Sequence, residues 1–205
     1  QQPKPGTEEQ VWRLLFGEDA LIVAFSENRG LAWPKKWVQD QLPNGAWLAT
    51  VDDDMILPFD GIELMWAVLT TSPEYAAVVL YSRGLDFGSL SFTDETVVKC
   101  RMPRSELWQE ADYAGFGCSL IRPEALQTCH FDDRYFVGGV DLDFCLQLRQ
   151  LGWKLLILGK EAEHRPIRPP EYRKVRFRNL QHTWRQFELK WGLKIREGHG
   201  ADCRG

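Results

Sequence analysis

The chain has 205 residues, 44% apolar and 26% charged, which is the profile of an ordinary globular domain with a substantial core and excludes a fibrous or wholly disordered chain. Its formal net charge of −4 argues against a dedicated nucleic-acid binder, whose domain is normally basic. Nine Trp and eleven Phe are many for this length; they suit either sugar- and nucleotide-binding clefts or added core volume.

In chain order, residues 1–7 are rich in Pro, Gly and Gln and read as disordered. Glu8 to Phe16 reads as a short helix ended by Gly17. The continuous apolar run Ala20 to Phe25 suits a strand buried on both faces of a parallel sheet. A loop, Ser26 to Gly30, precedes a helix from Trp33 to Gln41 that opens near Pro34. Trp47 to Val51 is a second buried strand, and it ends abruptly in Asp52-Asp53-Asp54. Gly61 to Thr70 reads as a helix and Ala76 to Tyr81 as a third strand, so strands and helices alternate as in an α/β domain.

From Arg83 to Asp112 the pattern weakens into loops and short strands. Order returns with Tyr113 to Ile121, a helix from Pro123 to Thr128, a loop from His130 to Gly139, a helix from Asp141 to Leu151 and a strand from Lys154 to Leu158. Beyond His164 the composition changes: residues 165–196 hold ten Arg or Lys against two Glu, interleaved with Tyr172, Phe177, Trp184, Phe187 and Trp191. That segment reads as a solvated amphipathic stretch, as a lid whose cations meet a leaving diphosphate, or as a contact for a polyanionic acceptor such as nucleic acid. No internal repeat and no clear linker divides the chain, which implies one domain.

The cysteines Cys100, Cys118, Cys129, Cys145 and Cys203 form no Cys-x-x-Cys pair, which argues against structural zinc. Several sit among apolar residues, as buried free thiols do, and point to a reducing, cytoplasmic setting. No apolar run approaches the roughly 20 residues that span a bilayer, and no signal peptide is visible.

The aspartate cluster carries the chemistry. In an open α/β sheet, ligands bind beyond the carboxyl ends of the strands, where Asp52, Asp53 and Asp54 stand. Three adjacent carboxylates repel one another unless a cation or solvent screens them. Oxygen ligands there suit Mg2+ or Mn2+, which also bind substrate phosphates; the plainer alternative is a solvated acidic turn or a helix cap.

Trp47 to Pro58 (Trp-Leu-Ala-Thr-Val-Asp-Asp-Asp-Met-Ile-Leu-Pro) resembles the strand and Asp-x-Asp segment of family 2 glycosyltransferases with the GT-A fold. The likeness extends, in the family's order, to Glu27-Asn28-Arg29-Gly30, Gly117 to Arg122, Phe131 to Phe136, Asp141 to Arg149, Gly152-Trp153 and His164, covering roughly residues 20–165.

The resemblance implies a mostly parallel central sheet flanked by helices in a domain over 8–165, with a basic, aromatic-rich segment over 166–205. It implies inverting, non-processive transfer of a sugar from a nucleotide-sugar donor, a UDP-sugar foremost, to an acceptor hydroxyl. Asp52, Asp54 and His164 match metal ligands, Asn28, Arg29, Asp52 and Asp53 match the nucleotide side, and Asp141 matches the catalytic base. The apolar stripe Phe144, Cys145, Leu148 and Leu151 sets Asp141 on the inward side of its helix and turns Asp143 away from the cleft. Asp141 can otherwise serve as a helix cap.

Three departures stand beside these matches. Val140 replaces a usual Glu, the processive Gln-x-x-Arg-Trp motif is absent because Gln181 to Arg185 has the residues in another order, and only a short helix precedes Ala20 where the family has a strand, a helix and a strand. They leave a fragment, a truncated paralogue or a domain completed by another chain as explanations. They also motivate two other readings, an inactive binding module and a nucleotidyltransferase.

Overall fold

The computed structural model describes residues 29–84, 86–105, 107–165 and 170–198. Residues 1–7, the helix Glu8–Phe16, the strand Ala20–Phe25, Asn28 and Cys203 lie outside them.

The central sheet starts from strands whose residues are apolar on both faces. β3 (Tyr75–Ser82) is the clearest: Ala77 and Val79 enter one hydrophobic cluster while Val78 and Leu80 enter another on the opposite face. Such two-sided burial needs cover on both sides. α2 (Gly61–Thr71) covers one face with Met65 and Leu69, and α4 (Val140–Gln150) lies on the other with Val140, Phe144, Cys145 and Leu148.

β3 runs parallel to β9 (Lys154–His164) on one side and antiparallel to β8 (Cys118–Ile121) on the other. β1 (Leu48–Val51) pairs antiparallel with β8, and β2 (Met55–Ile56) and β6 (Trp108–Ala111) pair antiparallel with β9. The second sheet has the order β10-β5-β4-β7. Its β4 (Phe87–Thr93) and β5 (Thr96–Arg101) form a hairpin, with β7 (Tyr113–Ala114) antiparallel on β4 and β10 (Lys194–Glu197) parallel to β5.

The expected mostly parallel sheet is therefore wrong. Among the described residues six strand pairings are antiparallel and two are parallel. β1 and β3 do share a sheet and run in the same sense, but β8 lies between them in the opposite sense. Burial on both faces makes a strand apolar throughout whatever its direction, so the hydropathy pattern of β8 concealed this. The hairpin β4–β5 fell in the region that looked weakly patterned. Its tight turn at Asp94-Glu95 contains none of the Asn-Gly or Asp-Gly pairs that mark hairpins in sequence.

The predicted helices are close to their observed bounds: α1 (Ala32–Gln41), α2 and α4 match within a residue, while α3 (Pro123–Leu126) is shorter, with Pro123 in its first turn. The basic segment forms α5 (Pro170–Trp191), whose Thr183 and Phe187 are fully buried. Thr183 packs where Gly139 leaves no side chain; a Cβ there would lie 2.7 Å from Thr183 Cγ2. Phe187 and Trp191 are thus core aromatics rather than free stacking surfaces, whereas Phe177 is 65% exposed. Cys118, Cys129 and Cys145 are buried free thiols as expected, but Cys100 is disulfide-bonded. Among the described residues no helix is long and apolar enough to cross a membrane.

Candidate active site

The end of β1 is fixed by β8. Val51 lies opposite Cys118, so the next backbone group, Asp52 N–H, donates to Gly117 O at 2.8 Å. Met55 N–H then donates to Asp52 O at 3.0 Å, closing a turn that holds Asp53 and Asp54 between β1 and β2. Below this turn the Thr50 hydroxyl bonds Phe116 O and Ser119 Oγ, both at 2.6 Å, and secures the strand end.

His164, the last residue of β9, pairs in register with Met55 and brings its ring to Asp54. Its Nε2 is 3.1 Å from Asp54 Oδ2 and its Nδ1 is 3.2 Å from Arg83 O. A carbonyl oxygen only accepts, so Nδ1 must carry the proton in that contact. In a neutral ring Nε2 then presents a lone pair to a carboxylate oxygen, and two lone pairs at this distance need a cation between them, a proton or a metal ion. Backbone anchoring of the remote ring N–H is how proteins fix an imidazole for metal binding. One nitrogen and carboxylate oxygens suit Mn2+ or Mg2+ in donor chemistry. Asp54 and His164 are the two of these donors in contact. Among the described residues no group of three His, Cys, Asp or Glu side chains is arranged to hold a metal.

Asp52 stands beside this pair. Its surface is open, yet surrounding protein raises its carboxyl above the usual range; burial is the main cause, Lys35 opposes it, and Asp141, Asp54 and Asp53 add repulsion. Gly117 makes room for it: a Cβ there would lie 3.0 Å from Asp52 Oδ2. Asp53 is exposed and adds charge alone.

Asp141, near the start of α4, accepts a 2.8 Å hydrogen bond from Lys35 Nζ, with side chains 30% and 15% exposed. Its charge and that of Lys35 both act on Asp52. Gly139, at φ 71°, is the helix N-cap, and no side chain caps it. Asp141 is thus an ion-pair partner, not a cap.

Asp143, expected to turn away from the cleft, is fully buried, and Leu151, expected in the apolar stripe, is 54% exposed. The Asp143 carboxylate accepts from Tyr135 OH at 3.2 Å, Trp191 Nε1 at 2.7 Å and Gln147 Nε2 at 2.8 Å, and pairs with Lys190 at 2.8 Å. It is the bolt between α4 and α5.

Arg29 lies over the Trp33 ring at 5.0 Å, and its neighbour Gly30, at φ 86°, sits against Phe136, whose carbonyl accepts Leu31 N–H at 2.8 Å. Sequence reasoning missed Lys35. The signal was present: Ala32, Lys35 and Gln39 share one face of α1, and Ala32 and Gln39 on that face are buried. Gln39 bonds the carbonyls of Leu126 and Cys129 and so anchors α1, setting the place from which Lys35 reaches Asp141.

In comparison with known proteins, the chain matches no protein-family model and no curated protein.

Proposed function

We propose that the chain transfers a sugar from a nucleotide-sugar donor, a UDP-sugar foremost, to an acceptor hydroxyl, with inversion and without processivity. The observation that most supports this is the Asp54–His164 contact, which a metal ion or a proton can bridge, at the strand end where the charge of Asp141 also acts on Asp52. In this reading Asp52, Asp54 and His164 hold Mn2+ or Mg2+, which when bound neutralises charge on the departing nucleotide. Asn28, Arg29, Asp52 and Asp53 contact the nucleotide.

Asp141 accepts the proton of the acceptor hydroxyl. To do so it must be released from Lys35, and a donor diphosphate is a strong competing partner for that ammonium. Lys35 thereby ties release of the base to arrival of the donor. The exposed cations of α5, among them Lys174, Arg178 and Arg185, are available to the leaving diphosphate or an anionic acceptor.

A nucleotide-binding module without turnover is the second reading. It is favoured by the same Lys35–Asp141 ion pair, which occupies the intended base, and by Val140 in place of a supporting carboxylate. A thermal-shift screen with UDP-, GDP- and dTDP-sugars, with and without Mn2+, followed by analysis of products, separates the possibilities. Transfer releases a nucleoside diphosphate, nucleotidyl transfer releases pyrophosphate, and a binding module gives a shift without consumption. Asp54→Ala is expected to lose metal-dependent nucleotide binding; equal binding by this variant and in EDTA refutes the metal assignment.

A further inference from the structure

A cavity of about 430 Å³ opens where the C-terminal end of α4 meets β4, β6 and the start of β9. Its volume is in the range, about 300–1,000 Å³, that holds small-molecule ligands. The floor is apolar, with Cys145 and Leu148 from α4, and Trp153 forms a wall. The Trp153 indole is held in place by the Arg122 guanidinium, stacked over the ring at 5.6 Å and itself bonded to the carbonyls of Pro73 and Leu69.

The rim carries two carboxylates and two cations. Arg149 pairs with Asp112, and Lys154 pairs with Glu110 at 2.9 Å. Both carboxylates are positioned by the scaffold: Asp112 accepts from Leu90 N–H at 2.8 Å and Glu110 from Tyr75 OH at 2.8 Å. The Ser89 hydroxyl also lines the opening and has no hydrogen-bond partner among the described residues.

These features select a ligand class. A phosphate or other anion needs surplus positive charge, and the rim has none. A wholly apolar ligand would strip water from four charged groups and return nothing to them. A pyranose ring meets both demands, with a C–H face for the indole and apolar floor and hydroxyls for the carboxylates, guanidinium and serine. We propose that this cavity is a subsite for a neutral saccharide of one or two pyranose units.

The subsite stands apart from the Asp52 cluster. Cys145, Leu148 and Arg149 lie on the same face of α4 as Asp141, and Arg149 is about 12 Å further along the axis at ~1.5 Å per residue. Between the two, β7 packs against this face, where Cys145 Sγ approaches Ala114 O at 3.8 Å. Occupancy therefore requires neither metal nor nucleotide and does not rest on the transferase reading.

The test is saturation-transfer NMR and calorimetry on the full chain in EDTA, with cellobiose, maltose, lactose and N,N′-diacetylchitobiose as probes and inorganic phosphate as the anionic control. At least one disaccharide is expected to bind saturably, as tightly to Asp54→Ala as to the parent, and about tenfold or more weaker to Trp153→Ala and Arg149→Ala, a loss of ~1.4 kcal/mol. Ser89→Phe, which fills the mouth and leaves Trp153 in place, is expected to weaken binding equally and covers the case in which Trp153→Ala does not fold. The proposal is overturned if no disaccharide binds at saturating probe, if phosphate binds in their place, or if binding survives the cavity variants and disappears in Asp54→Ala.

Discussion

Exchanging Asp141 and Asp143, one at a time, for Asn separates chemistry from architecture on a single helix. Asp143 is fully buried, and its two oxygens receive donors from Tyr135, Gln147 and Trp191 beside the Lys190 ammonium. Asn keeps one acceptor oxygen but turns an NH2 group toward donors and leaves Lys190 with Asp132 as its one remaining carboxylate. Breaking a buried pair from one side costs about 3–5 kcal/mol. In a chain of this size ~1 kcal/mol corresponds to roughly 2–4 °C, so Asp143→Asn should melt about 6–20 °C below the parent. Asp141, by contrast, is part-exposed and meets one partner, Lys35, so its loss should change stability by no more than about 1 kcal/mol. Its effect belongs to turnover, where removal of a general base costs about 10²- to 10⁴-fold. Thermal unfolding and product assays on both variants provide the measurement. Asp143→Asn melting with the parent, or Asp141→Asn being the less stable of the two, refutes the structural assignment; near-normal transfer by Asp141→Asn refutes the base.

Gly117→Ala places a Cβ 3.0 Å from Asp52 Oδ2 and should displace that carboxylate, weakening metal-dependent nucleotide binding about tenfold in calorimetry while stability changes by about 0.5 kcal/mol or less. Gly30→Ala demands φ 86° of a residue with a Cβ and sets that atom 2.2 Å from Phe136 O; urea unfolding should show a loss of about 2 kcal/mol or more, and an unchanged midpoint refutes the packing of this loop. For Asp132, burial alone would raise the carboxyl, but hydrogen bonds from Arg134 and Lys190 outweigh it and hold it well below the usual range. The unfolded chain then binds this proton more readily, so the contribution to stability is complete above the unfolded value of about 3.9 and is lost as pH falls below it. Unfolding midpoints from pH 7 down to pH 2 should fall more gently for Asp132→Asn than for the parent, and parallel curves refute the attribution.

How much was legible in the sequence differs by feature. β1, β3 and α1, α2 and α4 were readable because each is a local pattern: an apolar run, or apolar positions spaced for a helix face. Asp52 and Asp54 were nominated by their place after an apolar strand and His164 by the family resemblance, and the structure brings Asp54 and His164 into contact. The sense of β8 was not readable, since Cys118, Ser119, Leu120 and Ile121 are buried in either direction. Lys35 escaped notice because its partner is 106 residues away, and the partners of Asp143 were not readable because α5 is brought there by the fold.

What the sequence determined by itself is what depends on near neighbours: which segments coil or extend, where the acidic turn follows an apolar strand, and that Asp141 and Asp143 leave their helix in different directions. Those follow from backbone geometry, 3.6 residues per turn in a helix and alternation in a strand. The tertiary structure alone decided which partner each side chain meets. Lys35 at Asp141, His164 between Asp54 and the Arg83 carbonyl, and Lys190 with Trp191 at Asp143 are contacts between groups distant in the chain. Their geometry is set by how strands pair and helices pack, and no short-range pattern carries that information.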